Sequence, residues 1–148
     1  MNIWKQLLDN RELKKHSTSK QEVSNLIAVV NRDIKDAGIN ALSDDRRFAT
    51  AYNAALQLSK LVIACAGYRI SSSAHHQKTF EIAALVLGDF SQAYTSYFEF
   101  CRRKRNKLDY DMAEVVSGTE VDELLKQVRE FQELVTAWVK KNHSGLFL

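Results

Sequence analysis

The sequence predicts an all-α protein, an up-and-down antiparallel bundle of five to six helices. The 148 residues include no proline and 5 glycines, too few turn residues for an all-β sandwich or barrel. Apolar residues recur at helical spacing in several segments, and most of these begin at a Ser or Asp that can cap a helix. Short connections between the segments favour antiparallel neighbours. One domain over residues 1–148 fits a chain of this length.

The composition is that of a globular protein with its own core. Hydrophobic residues make up 45% of the chain, enough to bury a core without metals or disulfides. Cys65 and Cys101 both lie in apolar segments, so we expect buried thiols rather than a disulfide or zinc framework. The net charge of +3 permits a nucleic-acid partner without requiring one.

Two features bear on location. The N-terminus is charged and lacks the apolar region of a signal peptide. The longest apolar run, LVIACAG, is far shorter than the roughly 20 residues that span a bilayer. We therefore expect a cytoplasmic protein with no membrane partner.

The first two helices are defined by their boundaries. A short helix is predicted over residues 3–15. Ser19 and Glu22 form a capping-box pattern (S-K-Q-E), which opens a second helix with apolar residues at helical spacing. Gly38 is a candidate C′ residue at the end of this helix.

A predicted loop separates the third and fourth helices. Ser43 is the expected N-cap of the third helix, followed by two acids that the helix dipole favours. This helix ends near Gly67 and is apolar over a wide arc, so we expect it to be central in the bundle. Residues 70–74 (ISSSA) are predicted to be a loop, and the fourth helix covers residues 75–87, before Gly88.

Cap patterns also define the last two helices. Asp89 and Gln92 suggest a cap for a fifth helix, which carries an aromatic stripe and then becomes strongly basic. Ser117 and Glu120 form a capping-box pattern before the last helix. The tail, residues 142–148, is predicted to be frayed.

The most informative segment is CRRKRNKLDYD, at the end of the fifth helix. If the helix continues, Arg102, Asn106 and Tyr110 fall on one line at i, i+4 and i+8. A permanent cation, an amide and a phenol together suit a phosphate or a nucleotide. The alternative is that Arg105 makes an ordinary surface pair with Asp109 and that residues 102–104 are only a solvated basic helix end.

A second candidate is the segment GYRISSSAHHQ. Arg69 lies in the predicted loop, and His75 and His76 open the fourth helix, where exposed amides can bind an anion. The alternative is that these histidines only cap or pack the helix start. We expect no metal, because adjacent helical residues diverge by about 100° and one ion cannot readily take both imidazoles. No P-loop, dinucleotide or nucleophile-elbow motif is present, and no cofactor is expected.

The basic segment resembles the signature of HEPN domains (higher eukaryotes and prokaryotes nucleotide-binding). That signature is an Arg followed by Asn, Asp or His and, several residues later, a His. Arg105 and Asn106 match its first half. The upstream RRFATAYNAALQLSKLVIACAGYR and the later AHHQKT are similar to a bacterial single-domain branch of the family. The resemblance covers the chain from Ser19 to Trp138.

The resemblance implies a helical bundle that dimerises. In the active ribonucleases of the family, Arg and His from both protomers line a composite cleft, and the His serves in cleavage by the RNA 2′-hydroxyl. Several such proteins are toxins paired with a nucleotidyltransferase antitoxin, and others only bind nucleotides or a partner. Here Tyr110 occupies the position of the His. Because an unperturbed tyrosine has a pKa near 10, it is a poor general base at neutral pH.

The first functional hypothesis is a HEPN-like module that binds RNA or a nucleotide in a bacterial or phage defence or toxin–antitoxin setting. The second is an active metal-independent endoribonuclease, in which Arg105 and Asn106 work either with Tyr110 itself or with a histidine at the start of the fourth helix. The candidate catalytic residues are Arg105, Asn106 and Tyr110, and the candidate phosphate-binding residues are Arg69, His75, His76, Arg102 and Arg103.

The third hypothesis is a non-catalytic homodimeric interaction subunit. Aromatic residues cover more than one face of the fifth helix, which suits a dimer seam or a partner surface. They are Tyr94, Tyr97, Phe98 and Phe100. The alternative is that all four belong to the intramolecular core.

Overall fold

The computed structural model describes residues 2–71, 76–108 and 116–147, which contain six α-helices and two short β-strands. The helices are α1 (Ile3–Asp9), α2 (Lys20–Ala37), α3 (Asp44–Cys65), α4 (His76–Leu87), α5 (Gln92–Leu108) and α6 (Gly118–Asn142). The strands are β1 (Leu13–Lys15) and β2 (Tyr68–Ile70). The predicted all-α class is confirmed. Among the described helices, none is long and apolar enough to cross a membrane.

Helix α3 is the central element, as its wide apolar arc predicts. Of its 22 residues, 14 are buried, and it packs against α2, α4, α5, α6 and β2. Ser43 caps it by accepting a hydrogen bond from the Arg46 N–H at 3.2 Å. Both cysteines are buried as predicted, and burial raises the pKa of Cys65 to about 11 and that of Cys101 to about 12. The thiols therefore stay protonated at neutral pH.

The predicted first helix over residues 3–15 is wrong in its second half. Helix α1 ends at Asp9, and the chain turns at Arg11, whose φ of 60° is in the left-handed region. Residues 13–15 then form β1, in which Leu13 is buried. Helical spacing over so few residues cannot show that a strand partner lies more than fifty residues away.

That partner strand corrects a second prediction, the loop over residues 70–74. Strand β2 pairs antiparallel with β1, and Leu13 lies opposite Ile70. The backbone N–H of Ser71 continues the pairing by donating to the Glu12 carbonyl at 3.0 Å. Residues 72–74 lie outside the described part of the chain. The two strands form a short antiparallel ribbon (the β1–β2 ribbon). Its strands are too short to show the alternation of apolar and polar residues by which longer strands are recognised.

The two predicted capping boxes have different outcomes. The box at α6 is complete, because Ser117 accepts from the Glu120 N–H and the Glu120 carboxylate accepts from the Ser117 N–H. At α2, Ser19 accepts from the Glu22 N–H at 3.1 Å. The Glu22 carboxylate instead binds the His16 ring at 2.7 Å, so only half of that box forms.

Two further helix boundaries differ in detail. Gly38 is the C-cap of α2 with φ −81°, rather than a left-handed C′ residue. In place of a cap at Asp89, a 3₁₀ turn over Asp89–Ser91 leads directly into α5. Gly88 has φ 108° before this turn, a conformation that side chains disfavour, so a glycine suits the sharp change of direction after α4.

The tail is predicted to be frayed over residues 142–148, but its described part folds back, and residue 148 lies outside the described part of the chain. A 3₁₀ turn follows α6 over Ser144–Leu146, and both Leu146 and Phe147 pack against the core. The Lys140 ammonium lies 5.1 Å from the centre of the Phe147 ring. The packing of these two apolar side chains holds the tail on the core, whereas terminal residues without such contacts usually fray.

Candidate nucleic-acid site

Three helices meet at the end of the basic helix. Strand β2 packs along α3, and α4 then begins beside Tyr52, in the first half of α3. Phe80, one turn into α4, meets the Tyr52 ring edge-on at 5.9 Å between centroids. Helix α5 packs against both α3 and α4. The last turns of α5 therefore face the start of α4 across Tyr52.

Arg102 and Arg103 of the basic run face a carboxylate of their own helix. Arg102 makes a bidentate pair with Glu99, with Nε–Oε2 at 2.9 Å and Nη2–Oε1 at 2.7 Å. The hydrogen bond to Glu99 raises the pKa of Arg102 further. Arg103 lies 3.9 Å from the same carboxylate, and its side chain is 70% exposed. The solvated-end interpretation therefore fits Arg103 and does not fit Arg102, whose side chain is 22% exposed.

Lys104 joins the basic run to α6. Its ammonium binds the Glu120 carboxylate, the same group that completes the capping box of α6. The hydrogen bond from Lys104, with that from the Ser117 backbone, lowers the pKa of Glu120. One carboxylate thus fixes the end of α5 against the start of α6.

Arg105 makes a different kind of contact from its neighbours. Its guanidinium carbon lies 5.5 Å from the centre of the Tyr52 ring, a cation–π arrangement. Tyr52 is 1% exposed, so the ring is a rigid support. A guanidinium on a ring face keeps its charge and carries its donors in its own plane, the geometry that recognises phosphate oxygens.

The hydroxyl of Tyr52 reaches the first residue of α4. Its oxygen lies 3.1 Å from Nδ1 of His76. Burial raises the pKa of the Tyr52 phenol strongly, although Arg105 and Arg102 act in the opposite direction. The phenol therefore remains protonated at neutral pH and can donate to Nδ1, which favours the imidazole tautomer with its proton on Nε2.

The structure thus brings together Arg105, Tyr52 and His76 from three helices. The sequence predicts phosphate chemistry for Arg105 and His76, but spacing along the chain does not show that both contact the same tyrosine. Tyr52 lies on the buried apolar side of α3, and nothing in its spacing identified it as a site residue. The available signal was chemical, because a buried tyrosine hydroxyl usually needs a hydrogen-bond partner.

The remaining candidates are in other places. Asn106 follows Arg105 and is half-buried on α5. Arg69 is exposed on β2, opposite Lys14 of β1, and so lies on the ribbon. Tyr110 and His75 lie outside the described residues, as does the Asp109 that would pair with Arg105. Within residues 2–71, 76–108 and 116–147, no group of three or more His, Cys, Asp or Glu side chains is arranged to hold a metal ion.

Comparison with known proteins identifies the family. The family model described as HEPN_SAV_6107-like HEPN matches residues 39–136, well over half of the chain. The chain therefore belongs to the HEPN family, and its all-α fold agrees with this. The matched region contains α3, α4 and α5 with all three residues of the site, whereas α1, β1 and α2 precede it. No curated protein and no solved structure matches the chain.

Proposed function

We propose that this HEPN domain binds RNA or a nucleotide where α3, α4 and α5 meet. The observation that carries the proposal is the Arg105 guanidinium on the buried Tyr52 ring, with His76 bound to the same tyrosine. Membership of the HEPN family supports an RNA-binding or nuclease-like module. The guanidinium of Arg105 offers a phosphate both charge and hydrogen-bond donors, and His76 is held by the same tyrosine.

Each residue has a distinct proposed role. Arg105 binds a phosphate, and Asn106 contacts phosphate or base through its amide. Tyr52 is a positioning residue, because it is buried and acts through Arg105 and His76. Arg102 and Arg103 add charge at the rim, offset by Glu99. Tyr110 remains a predicted stacking or donor residue.

The test is RNA binding by Arg105→Gln beside Arg129→Gln. Arg129 is an exposed arginine on α6, so its substitution makes the same charge change away from the site. In EDTA at low salt, we expect Arg105→Gln to weaken binding of a single-stranded oligoribonucleotide by roughly tenfold, the scale of a lost charge-assisted contact. Fluorescence anisotropy measures the affinity. Equal affinities for the two variants would contradict the proposal.

A second candidate function is metal-independent RNA cleavage, and the Tyr52–His76 hydrogen bond favours it. Tyr52 holds the imidazole of His76 and also supports Arg105, the proposed phosphate-binding residue. General acid–base catalysis requires an imidazole that is positioned in this way. In such cleavage a base takes the proton of the 2′-hydroxyl, and the 2′-oxygen forms a bond to phosphorus. The bond from phosphorus to the 5′-oxygen breaks, and an acid protonates that oxygen.

Incubation of structured and single-stranded RNA in EDTA separates the two functions. If the second holds, the wild type cleaves RNA, whereas Arg105→Ala and His76→Ala of equal stability do not. If only binding occurs, all three proteins leave the RNA intact. Cleavage by all three would point to a different site or a contaminant and would remove both residues from the enzymatic proposal.

Homodimerisation is a further proposal, and burial reduces the number of aromatic residues on α5 that could form the dimer seam. Of the four aromatic residues on α5, Phe98 is buried, and Tyr94 and Tyr97 pack against the core. Phe100 is 57% exposed, and Leu85 of α4 is 52% exposed. Light scattering tests this, and a Phe100→Glu variant that stays as dimeric as the wild type would exclude this residue from the seam. A nucleotidyltransferase-type antitoxin and a defence setting are proposed from the family resemblance.

A further inference from the structure

We propose that the β1–β2 ribbon carries a second phosphate-binding surface, formed by Lys14, Lys60 and Arg69 (the ribbon patch). Lys14 and Arg69 lie directly opposite each other in the antiparallel ladder. Residues in this relation share one face of a ribbon, and like charges there destabilise the pair. Both side chains are exposed. An anion bound between the two side chains would offset this repulsion.

The third cation is brought in by the central helix. Lys60 of α3 and Arg69 line the same groove, which has a volume of about 260 Å³. The groove has an apolar floor that includes Leu26 and Ile63. An anionic group with a planar or apolar body, such as a nucleotide phosphate with its sugar and base, matches this combination of surfaces.

These three cations form no close ion pair with a carboxylate in the described part of the chain. None of the three has a carboxylate within 4.0 Å among the described ion pairs. The acid that lines the groove, Glu22, binds His16 at 2.7 Å and accepts from Thr18 at 2.6 Å. Burial acts to raise the pKa of Glu22, but the hydrogen bonds from Thr18 and His16 and the charges of His16 and Arg69 outweigh it and lower the pKa overall. Glu22 is thus hydrogen-bonded at the helix start, and it acts on Arg69 only through the weaker charge interaction.

The ribbon patch is separate from the Arg105 site. Lys60 follows Tyr52 by eight residues, about 12 Å along the axis of α3 at 1.5 Å per residue. Lys14 also precedes residues 39–136, the region that the HEPN model matches. The inference rests on the ribbon geometry and does not need the Arg105 site to be correct.

A structural explanation of the same charges exists and makes different predictions. Lysines on edge strands prevent pairing with other chains. Both strands of a two-stranded ribbon are edges. This explanation requires no ligand, and it does not account for Lys60, which lies on a helix.

The deciding variant is Lys14→Gln/Arg69→Gln, with Lys126→Gln/Arg129→Gln as its control. The control removes the same charge from two exposed residues of α6. Affinity for a short single-stranded oligoribonucleotide is measured over a series of salt concentrations. Each phosphate contact to a single strand contributes about 0.7 to the slope of log K against log salt. We expect the ribbon variant to lower the slope by about 1.4 and the control to leave it unchanged.

Pyrophosphate serves as the second probe, with the thermal unfolding midpoint as readout. If the patch takes a discrete phosphate ligand, pyrophosphate raises the midpoint of the wild type and the control but not of the ribbon variant. If RNA alone supplies the phosphates, only the salt slope responds. If neither probe distinguishes the ribbon variant from the control, the proposal is overturned and edge protection explains the charges.

The Arg105→Gln variant, measured in parallel, separates this inference from the proposed function. A normal effect of the ribbon variant with no effect of Arg105→Gln would overturn the Arg105 site alone. The reverse result would overturn the ribbon patch alone. A wild type that binds no RNA but is stabilised by pyrophosphate through the patch would refute RNA binding and support the second surface.

Discussion

The two basic regions of this protein differ in how their charges are held. At the α3–α4–α5 site, Arg105 lies on a buried ring, and its neighbour Arg102 is fixed by Glu99. On the ribbon, Lys14 and Arg69 face each other, neither forms a close ion pair in the described part of the chain, and Glu22 acts on Arg69 only through a longer-range charge interaction. The cations of the first region are fixed by packing and ion pairing, whereas those of the second are exposed and form no close ion pair among the described residues.

This difference separates two ways of meeting a phosphate. A cation held by packing can place one group accurately, and its contacts are weakly screened by salt because they are partly buried. Exposed cations attract a polyanion from a distance, and salt weakens that attraction steeply. We therefore expect the Arg105 site to orient RNA and the ribbon patch to add affinity.

The largest expected effect concerns Tyr52, the support of the first region. Tyr52→Ala removes a buried ring and should reduce the free energy of unfolding by about 3–5 kcal/mol. Tyr52→Phe keeps the ring and loses only the hydrogen bond to His76, so about 1 kcal/mol is expected. Urea unfolding measures both. If the Phe variant is as unstable as the Ala variant, the hydroxyl rather than packing supports the site.

The next largest effect is expected for Glu99→Gln, which removes the carboxylate that pairs with Arg102 and so leaves Arg102 and Arg103 without their ion pair in the described part of the chain, like the cations of the ribbon. The Glu99 side chain is 16% exposed and pairs with Arg102, so its loss should reduce the free energy of unfolding by about 1–3 kcal/mol. RNA binding should become more salt-dependent, because two arginines lose their carboxylate. Glu123→Gln, an exposed acid on α6, is the control. A salt slope equal to that of the control would mean that Arg102 and Arg103 do not face RNA.

The next prediction concerns pH and the Lys104–Glu120 contact. Because hydrogen bonds lower the pKa of Glu120 in the folded state, its carboxylate stabilises the protein above the ordinary glutamate range. This stabilisation is lost as the pH falls through the lowered pKa. Glu120→Gln should therefore be less stable than the wild type at pH 7, and the difference should shrink in acid. Thermal unfolding across pH measures it, and a constant difference would contradict the assignment.

The smallest effect has the opposite sign. Lys14→Gln relieves the like-charge pair with Arg69 and should increase the free energy of unfolding by about 0.2–1 kcal/mol. Lys126→Gln, the matched change on α6, should stay within about 0.5 kcal/mol of the wild type. Urea unfolding at low salt gives the comparison. A destabilised Lys14→Gln protein would show that this lysine stabilises the ribbon, and it would argue against repulsion between Lys14 and Arg69.

Local features were readable from the sequence. Ser43 and Ser117 cap their helices as predicted, since a cap depends on residues within one turn. The central position of α3 followed from its wide apolar arc. The basic segment also carried the family resemblance, because Arg105 and Asn106 are adjacent. These properties depend on short-range spacing, which a single sequence contains in full.

Tertiary structure alone decided the rest. The ribbon joins Lys14 to Arg69, and the site joins Tyr52, His76 and Arg105, across separations that no local period encodes. The same holds for Glu120, which both caps α6 and binds Lys104. A side chain's chemistry is fixed by its type, but its partner is fixed by which elements pack together. That packing places Tyr52, a buried residue of the apolar arc of α3, at the centre of the candidate site, and it places Arg69 outside the site.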